Sequence, residues 1–375
     1  MRNRALHAAR RAVAFSLIWS CVVAVAATTK MSHALAREAG RASAATFGAS
    51  SPPPQDQEKD KKDKEKKEKQ KKTPTVPEPE LKAAKAIEAA ADVPAMFVAA
   101  NEFLQKYPKS PLRPQLAPLF ADRISRIEDP AQLIAQGEAY LKMFTAPGDA
   151  DLVNPYLLFA YTSANRLDEA FALAATALDK DPDPVAAMIN LARAGLAEAR
   201  NQNMKYAAQS KQYGLRAIEL IEGDKKPATV SNATWAGYKT QQLPQLYQWI
   251  AMISLAGGDK ADAKAKLTRA VALNPSDPNN YVLLSNIAND EYQRLAQEHK
   301  AAPAGASKDE MLKKAEAQMD EVIDAYAHLM ALTEGQTQYE AMRVGLKADL
   351  EAYYKYRHSG SLDGLQALID KYKKR

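Results

Sequence analysis

The side chains of this sequence able to do bond chemistry are few and scattered. Beyond residue 36 there are three histidines, His299, His328 and His358, and none has a second histidine at the helical spacing that a zinc site uses. The single cysteine, Cys21, sits within an apolar run near the N-terminus, so a chain shortened past that run has no disulfide, thiolate metal site or thiol nucleophile. Acidic neighbours such as Asp290-Glu291 and Asp320-Glu321 are what any solvated helix carries. No glycine-rich phosphate loop or nucleophile elbow accompanies them. The expectation is therefore no catalysis, no metal and no cofactor, and function by binding.

Binding draws instead on amide, guanidinium and apolar side chains, which this sequence holds in number. Amide side chains donate and accept at once, and so can pair with an extended peptide backbone. A guanidinium fork matches a carboxylate, while aromatic and thioether side chains offer apolar contact. Such residues need rigid elements to align them, and the hydrophobic period supplies those elements. From Leu81 onward the apolar spacing is helical, with no sustained alternation of the strand type.

The helices recur at a fixed interval. Tyr247, Ile250 and Ala251 open one pattern, and 34 residues later Tyr281, Leu284 and Ser285 open the next, with Ala263, Leu267, Ala270 and Pro275 between them. Leu157, Leu158 and Tyr161 begin an earlier unit, Asn165 allows its turn, and Ala170, Ala174, Ala177 and Pro182 follow at the same offsets. Leu191 and Ala192 again stand 34 residues after Leu157 and Leu158. That order of large, small and helix-ending residues resembles the tetratricopeptide repeat (TPR) family. The run Phe103 to Ser110, with Tyr107-Pro108, is similar to a helix ending found in TPR proteins of the bacterial envelope.

The resemblance implies an all-α, right-handed superhelix, an α-solenoid of about seven hairpins over residues 78–375, each hairpin burying its faces against its neighbours. It also implies a protein or peptide partner held along a concave groove, whose positions in this register are filled by Phe159, Asn190, Arg193, Gln248, Met252, Asn286 and Asn289, with Phe159 and Met252 supplying apolar contact. Some TPR domains grip a terminal carboxylate with two asparagines and several lysines. Asn286 falls where one such asparagine would lie, but Val282 and Gln248 stand at lysine positions, so that particular grip is not expected. After the repeat at Tyr281 the helices lengthen. Ser307 with Glu310 suggests a capping box, and a last helix over 362–373 suggests a cap. The tyrosines Tyr339, Tyr353, Tyr354 and Tyr356 are expected in the core, and the histidines on solvated helix surfaces.

Charge divides the chain unevenly. The formal net charge is +6, yet residues 73–375 carry 35 basic against 38 acidic side chains. The basic excess lies wholly in the first 72 residues, so the helical part lacks the basic bias of a nucleic-acid binder. Residues 1–36 read as an export signal: arginines ending at Arg11, an apolar run from Ala12 to Ala27, then Ala24-Val25-Ala26 or Ala34-Leu35-Ala36 as cleavage candidates. Uncleaved, residues 12–27 would be a membrane anchor. Ile18-Trp19-Ser20-Cys21 loosely resembles a lipoprotein acylation site, although the run stays apolar beyond it. Residues 37–77 are rich in Lys, Glu and Pro and too poor in apolar side chains to form a core, so they read as a solvated linker. The combined expectation is an exported protein, periplasmic or secreted, with a membrane tether through the apolar run or Cys21 as the alternative.

Overall fold

The structure, a computed structural model, describes residues 76–373. The expected signal segment of residues 1–36, nearly all of the expected linker and Cys21 lie outside the described residues. Among the described residues all regular structure is helical. They form two compact units, one holding the described residues through Ala194 together with Lys225–Asn232, the other holding Gly195–Asp224 and 233–373.

The N-terminal unit contains α1 (Glu78–Glu88), α2 (Val93–Lys106), α3 (Arg113–Ser125), α4 (Pro130–Met143), α5 (Asn154–Ser163), α6 (Leu167–Ala177) and the start of α7 (Pro184–Arg200). Two of its helices, α2 and α4, begin where an aspartate serves the free N–H groups of the first turn. Asp92 accepts from the Ala95 amide and Asp129 from the Gln132 amide, both at 2.8 Å. Proline follows within the first two positions of each helix, where its missing N–H costs nothing. Ser110 instead braces the bend before α3, accepting from the Leu112 amide at 3.2 Å. The core is a file of aromatic rings, Phe97, Phe120, Phe144 and Tyr140, with successive centroids 4.7, 5.2 and 4.7 Å apart. Gly137 lets α4 approach α5, since a Cβ there would lie 2.6 Å from Leu157. Asn165 takes a left-handed φ of 57° and turns α5 into α6, as its residue type predicts. Leu157, Tyr161 and Ala170 are buried, whereas Ala177 and Pro182 are half-buried.

The C-terminal unit contains α8 (Ala207–Glu222), α9 (Asn232–Gly237), α10 (Leu243–Ala256), α11 (Lys260–Leu273), α12 (Pro278–Ala301), α13 (Ala306–Leu332), α14 (Glu340–Arg357) and α15 (Leu365–Lys373). Pro244 stands within the first two positions of its helix, as expected, and a π-turn over Tyr238–Gln242 joins α9 to α10 without a break. The capping box at Ser307 is absent. Gly305, at φ 141°, turns the chain earlier, and Glu310 pairs with Lys314 at 2.8 Å. The final helix begins at Leu365, three residues later than expected.

Ala251, Ala263 and Leu267 form a tight floor on which Leu283 and Ile287 of α12 sit. Ala263, Leu267 and Ala270 have no exposed surface, Tyr247 and Tyr281 are buried, and Pro275 is exposed. A second core joins Val322, Tyr326 and Ala327 of α13 to Leu350 and Tyr354 of α14 and Leu365 of α15. Tyr339 and Tyr354 are buried and Tyr353 is partly so, but Tyr356 is 60% exposed, which corrects its core assignment. His328 is likewise no free surface histidine. Its ring lies 4.2 Å from Tyr281 and 4.1 Å from Tyr372, bridging α12, α13 and α15. Gly195 allows α7 to cross α8, because a Cβ would fall 1.7 Å from the Ser210 hydroxyl oxygen.

Asp262 ties three of these helices together. Its Oδ2 accepts from Ser254 Oγ at 2.7 Å and faces Lys211 Nζ at 2.9 Å, while Oδ1 faces Lys266 at 3.3 Å. Burial alone would raise its pKa, but the Ser254 and Lys211 bonds and the neighbouring lysine charges hold it down at about 2. A carboxyl depressed in the fold contributes stability above its ordinary value of 3.8, and that contribution is lost as the pH falls from there toward 2. Asp262→Asn should therefore cost about 2 kcal/mol at pH 7 and almost nothing at pH 2, measured by urea denaturation at both. Ala263→Glu or Ala270→Glu should cost roughly 3 kcal/mol or more, because a carboxylate there is buried unpaired. A melting curve like that of the parent chain would show the repeat register to be wrong.

Candidate functional site

Each unit contributes its own candidate surface. In the N-terminal unit these are Phe159 on α5 and Asn190 and Arg193 on α7, all half-buried. Asn190 and Arg193 are one turn apart, and Arg193 Nη2 donates to Asn190 Oδ1 at 3.1 Å. No acidic side chain pairs with Arg193 within ion-pair distance among the described residues, and burial holds its guanidinium below the ordinary arginine value. Thr162, another position on this face, turns its hydroxyl back to the Leu158 and Phe159 carbonyls of its own helix, at 3.0 and 2.8 Å.

In the C-terminal unit the candidates are Gln248 and Met252 on α10 and Asn286 and Asn289 on α12. Two of them are already engaged inside the protein. Gln248 Nε2 donates to Asp277 Oδ2 at 3.0 Å and to Asn280 Oδ1 at 2.9 Å, fixing the start of α12 beside α10. Asn289 Oδ1 accepts from the Tyr353 hydroxyl at 3.1 Å, and that hydroxyl accepts from Gln293 Nε2 at 3.1 Å. Tyr339 donates to Asn279 in the same manner at 3.4 Å. Tyrosines at both ends of α14 thus reach the amide-rich face of α12, and burial raises the Tyr353 hydroxyl to about 12. Between these contacts Asn286 keeps its Nδ2 buried with no hydrogen-bond partner. Met252 receives Arg200, whose Nη2 lies 3.7 Å from the Met252 sulfur.

Arg200 was not singled out by sequence reasoning. It stands seven residues, two helical turns, after Arg193, and that spacing with alanine at 197 was the available signal. Like Arg193 it has no acidic partner within ion-pair distance among the described residues, and burial lowers its pKa. Tyr353, expected in the core, also donates its hydroxyl to Asn289, one of the residues expected in the groove. Among the described residues no cluster of three or more His, Cys, Asp or Glu could hold a metal ion, and no helix is long and apolar enough to cross a membrane.

Comparison with protein-family models, curated proteins and solved structures finds no match to this chain. The chemistry of the surfaces therefore rests on the geometry alone.

An amide nitrogen buried without a partner costs stability that a ligand or a change of residue could recover. Asn286→Leu is expected to raise unfolding stability by about 1 kcal/mol. A loss of similar size in chemical denaturation would instead make the Asn286 amide structural.

Proposed function

We propose that this chain is a TPR-like scaffold that binds an extended polypeptide bearing a carboxylate, without bond chemistry. The observation carrying the proposal is Arg193. A guanidinium withdrawn from water and bonded only to a neutral amide leaves most of its five donors for an incoming acceptor. A carboxylate completes it, as a side chain or as a chain terminus. Asn190 lies beside it to bond a peptide backbone, and Phe159 lies on the preceding inner helix of the same unit to pack an apolar residue. The register of Leu157, Tyr161 and Ala170 with Tyr247, Ala263, Leu267, Ala270 and Tyr281 supports the repeat reading, since the buried members are those the 34-residue period selects.

We further propose export, from the arginines and apolar run of residues 1–36, to the periplasm or the medium, with a role in assembly or upkeep of the cell envelope. The 16 residues from Ala12 to Ala27 fall short of the roughly 20 that span a bilayer comfortably, which favours a cleaved signal; the alternative is an uncleaved inner-membrane anchor with the Lys-rich linker as spacer. Cell fractionation separates the two.

Binding is tested by selecting partners from a displayed library of roughly 15-residue peptides and measuring them by fluorescence anisotropy. Selected peptides should carry Asp, Glu or a required free C-terminus, and Arg193→Ala should weaken them about 10- to 100-fold, equivalent to losing one charge-assisted pair. Peptides that bind Arg193→Ala as well as the parent chain would overturn the assignment.

A further inference from the structure

A long cationic side chain normally lays its stem on apolar surface and puts its charged head into water or against an acid. Arg200, in the last turn of α7, finds no acid. It is half-buried, its one hydrogen bond among the described residues runs from Nη2 to the Met252 sulfur at 3.7 Å, and no carboxylate lies within ion-pair distance there. Glu198, the nearest acid in sequence, accepts from Asn203 Nδ2 at 2.7 Å instead. A thioether is a weak acceptor, so almost all of the guanidinium's five N–H donors stay unspent within the fold.

The sulfur that receives Arg200 belongs to an apolar shelf. Gln248 of α10 meets Asn280 of α12 at 2.9 Å, and about one turn further on Ala251 shares a core with Leu283 and Ile287. Residue numbers therefore rise together along the two helices, and Met252 and Leu284 fall on the same turn. Both are half-buried and pack against that core. A thioether and an isobutyl group thus lie side by side, with an unpaired cation at the α7 edge, all within the C-terminal unit. Methionine adapts to apolar groups of varied shape, which suits a surface that takes side chains from outside.

We infer that Arg200, Met252 and Leu284 form a subsite for an extended peptide segment in which an acidic side chain stands two positions from a large apolar one. The inference rests on the reading of the chain as a binder of extended polypeptide, and adds a sequence requirement to it. In an extended strand the side chains at i and i+2 leave the same face about 6.8 Å apart, so the acid can pair with Arg200 while its apolar neighbour covers Met252 and Leu284. The carboxylate brings the charged acceptor that the fold withholds from the guanidinium. A free phosphate would satisfy the guanidinium as well, yet it would leave the shelf bare.

The test follows isotope-labelled methionine methyl groups by NMR in the full-length chain; there are eleven methionines, few enough to resolve, and the Met252 signal is the one lost in Met252→Leu. Acetyl-Glu-Thr-Leu-amide, whose blocked ends leave the Glu side chain as its only charge, should move that signal saturably with a Kd on the order of 1 mM. Acetyl-Gln-Thr-Leu-amide and inorganic phosphate should each bind at least about 10-fold more weakly, one lacking the charge and the other the apolar group. Arg200→Gln should weaken the Glu peptide by at least about 10-fold with circular dichroism unchanged, since the guanidinium holds no ion pair in the fold. Should that variant unfold, the Gln peptide on the parent chain still decides the matter. A Met252 signal unmoved by about 10 mM Glu peptide, equal binding of the Gln peptide or of phosphate, or undiminished binding to a folded Arg200→Gln would each overturn the inference. The Arg193 assignment is read apart from this one, by anisotropy of the selected peptides on Arg193→Ala, so either can fail alone.

Discussion

The C-terminal unit depends on how closely α10, α11 and α12 can approach. Alanine at 251 and 263, with Leu267 between the helices, sets a spacing at which Leu283 and Ile287 fill the remaining space. Packing at this distance tolerates neither added volume nor charge, because interiors are close-packed and a buried carboxylate without a partner is expensive. The polar contacts reinforce the same spacing. Asp262 gathers Ser254, Lys211 and Lys266, and Gln248 reaches from α10 to Asp277 and Asn280. Side chains that might have served a ligand are thus partly used to align the helices that would present it.

That division of labour separates the seven candidate residues. Gln248 and Asn289 make hydrogen bonds to neighbouring helices, so their amides are largely spent on architecture. Arg193 and Arg200 are withdrawn from water without an acidic partner, bonded only to the Asn190 amide oxygen and the Met252 sulfur, and the buried Asn286 amide nitrogen has no acceptor. A polar group retained in such a setting is retained against stability, and that conflict is a physical mark of function. The tyrosines of α14 show the opposite case: aromatic rings that bury apolar area while their hydroxyls satisfy the amides of α12.

The sequence by itself determined the helical class and most helix positions, because these follow from local spacing. An apolar period of 3.6 residues places Leu157, Ala170, Ala263 and Leu267 on one face whatever lies opposite. Asn165 in its left-handed turn and the Asp caps were readable for the same reason, as their bonds close within three residues. Tertiary structure decided what needs partners distant in sequence. Whether Asn289 faces solvent depends on Tyr353, 64 residues away, and the setting of Arg200 depends on Met252, 52 residues away. His328 became a stacked bridge through Tyr281 and Tyr372, and Tyr356 stayed outside while Tyr354 went in. Local periodicity says which face of a helix is apolar; only the packed chain says which of its polar side chains are already satisfied.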